Sequence, residues 1–343
     1  MQRLVCFTFV LCALGLMRAG TAGEAGAWVD PSGHRIQRVT VESSVELEVL
    51  DWGGSGRTVV LLAGGGNSAH VFDRFAEKLA AQFRVFGITR RGSGASSIPG
   101  TGYNADRLAD DVLAVLDSLS IQSPILIGHS VANEEMNSFA ARYPQRAAGL
   151  VYLDAAYDRT DPAGRAPLQK LGQSVPPPDP PSTEDLFDFR SIQRWSQRAR
   201  GIDIPEAELR QCCQWDSTDH FVKFEVNAAR NEANRAIASA ARKPAYGTIR
   251  VPALAIYAVA QSGKDIPGYR EQYTAAFEDT YLSRVPYVKD QVSHFRNEVK
   301  SSRVVEMPGA NHYVFLSNES AVLREVTAFA KEIEAARQRV PRN

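Results

Sequence analysis

The chain has 343 residues, with 39 Lys and Arg against 39 Asp and Glu, 44% apolar residues and 9% aromatic residues. This balance is typical of a globular protein and excludes a disordered, collagen-like or coiled-coil chain. A net charge of zero gives no long-range field for attracting nucleic acid or anionic lipid. We therefore expect no nucleic-acid partner and no stable membrane association. The length suits one large α/β core, with or without an inserted lid.

Residues 1–22 have the pattern of a secretory signal peptide. Arg3 precedes an apolar block from residue 4 to residue 17, and small residues follow it up to Ala22. This block is short for a bilayer core, which needs about 20 residues, so an uncleaved anchor is the weaker alternative. We expect export to the periplasm or the exterior after cleavage near Ala22. The mature chain then keeps Cys212 and Cys213, which we interpret as packing residues because neighbouring cysteines rarely bridge each other.

The apolar pattern predicts an antiparallel opening followed by alternating strands and helices. Apolar residues alternate from Val39 to Val49, which is typical of a hairpin with one buried face. Short apolar runs then alternate with segments of helical periodicity, and this order favours a parallel sheet. The predicted strands are 58–63, 84–88, 125–127 and 149–153, and the predicted helices are 69–81, 104–119 and 131–143.

A change in composition indicates an inserted cap. Residues 175–182 contain five prolines, which neither a helix nor a core strand tolerates. A polar, helical segment with several aromatic residues follows. Strand patterns return at 253–259 and 303–306, before an amphipathic C-terminal helix. We therefore divide the mature chain into a core, residues 23–156 and 251–343, and a helical cap, residues 157–250.

Ser130 is the candidate nucleophile. It lies between a short buried strand and a helix, and the small residues Gly128 and Ala132 on either side allow the sharp turn that exposes such a serine. A serine needs a base that is oriented by an acid. His312 follows the last predicted strand and is the expected base. Asp265, in the loop after the strand at 253–259, is the expected acid, and Asp158 is the alternative.

The oxyanion of such a reaction needs two preorganised backbone donors. Val131 provides one, because its amide begins the helix after Ser130. Gly65 is the expected second donor, in the glycine-rich loop after the strand at 58–63. Its neighbours Gly64 and Gly66 allow the backbone to approach a ligand closely. A phosphate cradle is disfavoured, because the loop lacks the spacing and the lysine of known phosphate loops.

Taken together, the motifs resemble the α/β-hydrolase superfamily, in particular its lidded serine esterases. The resemblance implies an eight-stranded, mostly parallel sheet, a cap after the sixth strand and a triad of Ser130, Asp265 and His312. A serine rather than an aspartate at position 130 disfavours the dehalogenases and many epoxide hydrolases of this fold. The motifs are LLAGGGNSAHVF at 61–72, RRGSGASS at 90–97, GHSVA at 128–132, AQSGKD at 260–265 and PGANH at 308–312.

One spacing departs from the family pattern. The interval between Asp265 and His312 is longer than usual, which implies an additional helix there and keeps Asp158 as an alternative acid.

The expected activity is hydrolysis of a carboxylic ester, with the aromatic cap residues Trp195 and Trp215 as candidate substrate contacts. The alternative targets for hydrolysis are a lactone, an amide, a carbon–carbon bond or a polyester. A non-catalytic receptor for small molecules is an alternative function. No metal or organic cofactor is expected. His34 and His70 show no metal-ligand spacing and are interpreted as surface or satisfied histidines. The sequence leaves the oligomeric state open.

Overall fold

The computed structural model describes residues 28–164, 166, 180–262 and 274–339. Within them, eight strands form one sheet and two form a separate hairpin. The strands are β1 (Arg35–Glu42), β2 (Val45–Gly53), β3 (Thr58–Leu62), β4 (Arg84–Ile88), β5 (Ile125–His129), β6 (Gly149–Leu153), β7 (Cys213–Trp215), β8 (Phe221–Phe224), β9 (Ala253–Val259) and β10 (Ser302–Pro308). The helices are α1 (Asp73–Ala80), α2 (Ala105–Ser118), α3 (Asn133–Arg142), α4 (Phe189–Arg200), α5 (Glu206–Arg210), α6 (Ala228–Ser239), α7 (Thr274–Leu282), α8 (Val285–Glu298), α9 (Val314–Ser317) and α10 (Glu319–Gln338).

The main sheet has the strand order β1-β2-β4-β3-β5-β6-β9-β10. The pairs β1–β2 and β2–β4 are antiparallel, and every later pair in this order is parallel. The predicted α/β-hydrolase fold, with eight strands and an antiparallel opening, is therefore confirmed. Since the parallel strands end at one edge, the loops after β3, β5, β6, β9 and β10 meet there.

Helices cover both faces of this sheet, and for that reason its central strands are buried on both sides. In β5, Leu126 packs with α2, α3 and α8 on one face, whereas Ile125 and Ile127 pack with α1 and α10 on the other. β6 alternates in the same way, because successive strand residues point to opposite faces. These two layers hold the strand ends in place.

The cap differs from the purely helical insert that the sequence predicted. It contains α4, α5 and α6, but also the antiparallel hairpin β7–β8. Its apolar cluster includes Phe189, Leu209 and Cys213, and both Cys212 and Cys213 are free thiols. A strand of three residues is too short for its periodicity to be read from sequence.

The connection between β9 and β10 contains two helices, α7 and α8, where the long interval implied an additional helix. Asp265, the expected acid in this connection, lies outside the described residues. Among the helices that the structure describes, none combines the length and the apolar character needed to cross a lipid bilayer.

Candidate active site

Ser130 lies on a sharp turn between β5 and α3. Its backbone has φ +57°, in the left-handed region that residues other than glycine rarely adopt. The turn needs small neighbours, because a Cβ added to Gly128 would lie 2.2 Å from Met136 Sδ and 2.9 Å from Ala132 Cβ. The backbone at Ser130 is therefore locally strained, and the serine hydroxyl lies at the sheet edge, as in a nucleophile elbow.

His312 connects this serine to a buried carboxylate. Its Nε2 lies 2.9 Å from Ser130 Oγ, and its Nδ1 lies 2.6 Å from Asp154 Oδ2. Because an ionised carboxylate only accepts, Nδ1–H donates to Asp154 and Nε2 is left to accept the serine proton. The three side chains thus form a continuous hydrogen-bonded relay, which the structure assembles from loops after β5, β6 and β10.

The carboxylate at the histidine is one that the sequence analysis did not name. Asp154 directly follows β6, and both ring nitrogens of His312 have partners without Asp158 or Asp265. Asp158 Oδ1 instead accepts from the backbone N–H and the hydroxyl of Thr160, at 2.8 and 2.6 Å. The structure thus places Asp154 where the prediction placed Asp265 or Asp158, while Asp265 itself lies in the undescribed part of the chain.

Three contacts hold Asp154 in position. Its Oδ1 accepts from the Tyr157 hydroxyl at 2.5 Å and from the Ala258 amide at 2.9 Å. Its own amide donates to the Ile256 carbonyl at 2.7 Å. The residue is 5% exposed and has φ +45°, which an aspartate tolerates better than most residues do. These bonds aim the second oxygen, Oδ2, at His312.

His129, beside the nucleophile, anchors the histidine loop. Its Nε2 lies 3.1 Å from the His312 carbonyl oxygen, so the ring donates from Nε2. Burial, together with the nearby His312, lowers the pKa of His129 well below its usual value. It is therefore a neutral positioning group, as expected for a loop anchor rather than a second base.

The glycine-rich loop after β3 passes close to the nucleophile. A Cβ added to Gly64 would lie 2.6 Å from His129 Nδ1 and 3.2 Å from Ser130 Cβ, and one added to Gly65 would lie 3.6 Å from Val131 Cγ1. The two expected oxyanion donors, Gly65 and Val131, are thus neighbours. Gly66 has φ +78° and is exposed, with open space where a Cβ would lie.

A buried ion pair holds this loop from below. Arg90 donates to Glu135 through Nη2, at 2.5 Å, and through Nε, at 3.1 Å. The same Nη2 donates to the Ala63 carbonyl at 2.7 Å. Both side chains are nearly inaccessible, so loss of either would leave the other charge buried and unpaired. Glu135 thus acts on the glycine-rich loop after β3 through Arg90.

The cap contacts the same loop through Glu208 of α5. Its carboxylate accepts from Asn67 Nδ2 at 2.8 Å and from the Ser68 hydroxyl at 2.5 Å. Burial raises the pKa of Glu208, and the hydrogen bonds from Ser68 and Asn67 oppose that rise. Glu208 therefore connects the cap to the glycine-rich loop at a site where burial disfavours the ionised form of its carboxyl group.

Arg159 is a further residue at the nucleophile that the sequence analysis missed. Its Nη2 donates to Ser130 Oγ at 3.2 Å, and its Nε donates to Asn133 Oδ1 at 3.3 Å. A guanidinium at this place favours negative charge on the serine oxygen or on a bound acidic group. The only clue in the sequence is its position in the loop after β6.

The two tryptophans expected at the substrate both lie in the cap. Trp195 belongs to α4 and is half-buried. Trp215 Nε1 donates to the Arg210 carbonyl at 3.1 Å, and its ring makes an edge contact with Phe189 at 5.4 Å. Trp215 is therefore engaged in packing within the cap.

A cavity of about 770 Å³ lies at the other edge of the sheet. It is lined where β3, β4 and β5 begin and by α10, through residues such as Arg57, Gln82, Ser123 and Glu334. Ser130 lies at the opposite, carboxyl ends of these strands, so this cavity is separate from the relay.

Residues 57–319 match a family model described as the alpha/beta hydrolase fold. A 2-(acetamidomethylene)succinate hydrolase of Mesorhizobium japonicum is 26% identical over 308 residues, covering 87% of this chain and 96% of the relative. A bifunctional esterase/perhydrolase of Acinetobacter calcoaceticus is 34% identical over 170 residues, covering 49% of this chain and 58% of that protein. A crystal structure of E-2-(acetamidomethylene)succinate hydrolase superposes with a TM-score of 0.61 at 22% identity, over 87% of this chain and 99% of the other.

Proposed function

Because this chain belongs to the α/β-hydrolase fold family and is a hydrolase, we propose that it is serine-dependent and cleaves a carboxylic ester. The observation that carries the proposal is the relay from Ser130 Oγ through the His312 ring to Asp154, with distances of 2.9 and 2.6 Å. Both lie within the range of a nucleophile–base–acid arrangement that is ready for proton transfer.

In the acylation step, His312 Nε2 takes the Ser130 proton while Oγ attacks the ester carbonyl. The amides of Gly65 and Val131 receive the developing oxyanion, and Asp154 stabilises the imidazolium. The tetrahedral intermediate then breaks its bond to the alcohol, which leaves with the proton from His312. This step produces an acyl-enzyme on Ser130.

Deacylation repeats the chemistry with water. His312 removes a proton from a water molecule, the resulting hydroxide attacks the acyl carbonyl, and the bond to Ser130 Oγ breaks. The histidine returns its proton to the serine, and the carboxylic acid product leaves. Arg159 stays beside Ser130 Oγ in both steps and stabilises the negative charge that develops on this oxygen.

A fluorophosphonate probe tests the proposed nucleophile. Purified protein should be labelled on Ser130, as located by mass spectrometry of the adduct. S130A should lose the label and lower the turnover of a chromogenic ester by about three orders of magnitude or more, with the fold intact. S293A is the matched control, because Ser293 is an exposed serine on α8. Labelling of S130A as strong as that of the parent protein would refute the assignment.

The amide bond of an acidic compound is a second candidate substrate, and Arg159 is the observation that favours it. A guanidinium 3.2 Å from Ser130 Oγ suits a substrate with a carboxylate close to the scissile bond. The Mesorhizobium relative is named for hydrolysing an acetamido derivative of succinate. Comparing a neutral ester with the ester and the N-acyl amide of a dicarboxylic acid separates the candidates, because only an acid-specific enzyme prefers the charged compounds.

We also propose that the protein acts outside the cytoplasm, after removal of residues 1–22. The support is the sequence pattern of a cation, an apolar block and small residues up to Ala22. Fractionation of producing cells, with N-terminal sequencing of the exported form, tests this. Full-length protein retained in the cytoplasm would contradict the proposal.

A further inference from the structure

Two histidines and two aspartates form a cluster away from the relay. Asp30 and His34 precede β1, whereas His70 belongs to the 3-10 turn Ala69–Phe72 and Asp73 begins α1. One donor atom from each of the four side chains lies within 4.8 Å of the other three. The cluster thus joins the segment before β1 to the helix that follows the oxyanion loop.

Three distances between donor atoms are close to the edge length of a metal-centred tetrahedron. His70 Nδ1 lies 3.5 Å from Asp30 Oδ2 and 3.4 Å from Asp73 Oδ2, and His34 Nε2 lies 3.5 Å from Asp30 Oδ2. Zinc bonds of about 2.0–2.1 Å to nitrogen and oxygen place neighbouring ligands about 3.3 Å apart in a tetrahedron. These three distances are close to that edge, and all four donor atoms lie within 4.8 Å of one another, so one ion can reach all four side chains.

Two of these donor atoms have no hydrogen-bond partner in the described part of the chain. They are His70 Nδ1 and Asp73 Oδ2, on side chains that are only 7% and 4% exposed. Buried polar atoms are nearly always satisfied, so such atoms need an explanation. Here they lie 3.4 Å apart without hydrogen-bond geometry. A cation between them satisfies both.

The surrounding groups orient the ligands as an outer shell does in metal sites. Trp52 Nε1 donates to Asp73 Oδ1 at 3.2 Å, and His34 Nδ1 lies 3.0 Å from the same oxygen. With Nδ1–H donating there, His34 presents Nε2 to the cluster. Glu48 Oε1 lies 3.7 Å from His70 Nε2, on the far side of that ring from the cluster. His34 Nδ1, His70 Nε2 and Asp73 Oδ1 thus face protein groups, and the other donor atom of each side chain faces the cluster.

We propose that Asp30, His34, His70 and Asp73 form a structural divalent-metal site, with zinc as the ion that fits best. Two neutral imidazoles and two carboxylates balance the charge of one divalent cation, which is favourable for a buried site. Four protein ligands close the coordination sphere, so the site is structural rather than catalytic. Imidazole nitrogen with carboxylate oxygen suits zinc better than magnesium or calcium, which prefer oxygen ligands.

The metal would fasten the segment before β1 to the core beneath the oxyanion loop. This segment also contacts the cap, because the Arg210 guanidinium lies 4.6 Å from the centre of the Trp28 ring. The sequence analysis interpreted His34 and His70 as surface or satisfied residues, and the proposed site replaces that interpretation only if the ion binds. The signal was present as an Asp-x3-His pair and a His-x2-Asp pair, but only the fold brings the two pairs together.

Metal content and stability of the full chain, purified without chelator, test the proposal. We expect about one zinc per chain by elemental analysis and a Tm that falls by about 5 °C when a chelator removes it. H34Q should bind at least tenfold more weakly. H294Q is the matched control, because His294 forms the same i,i+4 pair with Asp290, 3.3 Å apart, on an exposed surface. H294Q should bind zinc as the parent protein does.

Cobalt substitution provides a readout that requires no variant to fold. Co²⁺ in the parent protein should give the intense visible absorption of a tetrahedral site, and zinc should displace it at one equivalent. A parent protein that takes up no zinc or cobalt, or an H34Q that binds zinc as tightly as the parent does, would overturn the site. Neither result depends on hydrolytic activity, so it leaves the proposed function untouched.

Discussion

The exchange of Asp154 for asparagine tests the relay most directly. The Asp154 carboxylate accepts three hydrogen bonds, from the His312 ring, the Tyr157 hydroxyl and the Ala258 amide. Asparagine has one acceptor oxygen and a donor NH2 group in the same shape. Its oxygen is held by Ala258 and Tyr157, so its NH2 group faces His312 Nδ1. The imidazole must then carry its proton on Nε2, where it cannot accept the proton of Ser130.

The expected loss follows from that wrong tautomer. Fixing the base of a serine relay in the non-accepting form lowers kcat by about 10⁴. At about 1.36 kcal/mol for each factor of ten, this corresponds to about 5.4 kcal/mol of activation free energy. The backbone should tolerate the change, because asparagine adopts positive φ readily and position 154 has φ +45°. The loss should therefore appear in kcat with an unchanged far-UV circular dichroism spectrum.

The assay is steady-state hydrolysis of a chromogenic ester by D154N, D158N and D265N, with Tm measured for each. D158N and D265N are matched controls, since each changes an acid that the sequence suggested. Both should retain kcat within about threefold, because Asp154 already accepts the hydrogen bond from His312 Nδ1. If D265N or D158N loses as much activity as predicted for D154N, while D154N stays active, our assignment of the acid is wrong.

Three further predictions concern the surroundings of the relay. R159M should reduce kcat/KM at least tenfold more for a carboxylate-bearing ester than for a neutral ester of equal size, since hydrogen bonds to charged groups contribute about 1.5–3 kcal/mol; equal losses for both esters would contradict this role. Because burial raises the pKa of Glu208 above 4.5, the folded state binds that proton more tightly than the unfolded chain, and this contribution to stability is lost as pH rises through the raised pKa. E208Q should remove that loss, so in urea unfolding the stability of the variant relative to the parent protein should increase as the pH rises above 4.5, and a difference that does not change with pH would argue against it. G64A should lower kcat tenfold or more by displacing His129, whereas G100A, which adds its methyl in open space, should not; similar kinetics for the two variants would show that the close approach at Gly64 is unimportant.

The positions of the proposed nucleophile and base were predictable from sequence because each depends on a local pattern. Ser130 lies between small residues at a strand-to-helix turn, and His312 follows the last strand of the sheet. Both patterns place a side chain at the carboxyl edge, where a parallel sheet gathers its loops. The order of strands and helices was predictable for the same reason, since β5 and β6 are short apolar runs bounded by turns.

The carboxylate that contacts His312 was not predictable, because choosing among acidic loop residues requires the path of the backbone. Asp154 and Asp158 both follow β6, and only the hydrogen bonds from Tyr157 and Ala258 determine which carboxylate turns towards the histidine. Arg159 is comparable, since its approach to Ser130 depends on how the loop after β6 folds back. The cluster of two histidines and two aspartates and the hydrogen bond between Glu208 and Ser68 were not predictable either, because both join residues that are distant in sequence.

Placing the acid at the end of β6 has a consequence for the connection between β9 and β10. The Ala258 amide belongs to β9, before this connection, and His312 follows β10, while α7 and α8 lie between the two strands. Neither of the two helices described there contributes a member of the relay, but α8 holds the loop after β6. Gln291 Oε1 accepts from the Asp158 amide, and the Tyr287 hydroxyl donates to the Asp158 carbonyl. Insertions or exchanges in this connection are therefore compatible with the chemistry as long as α8 keeps these contacts.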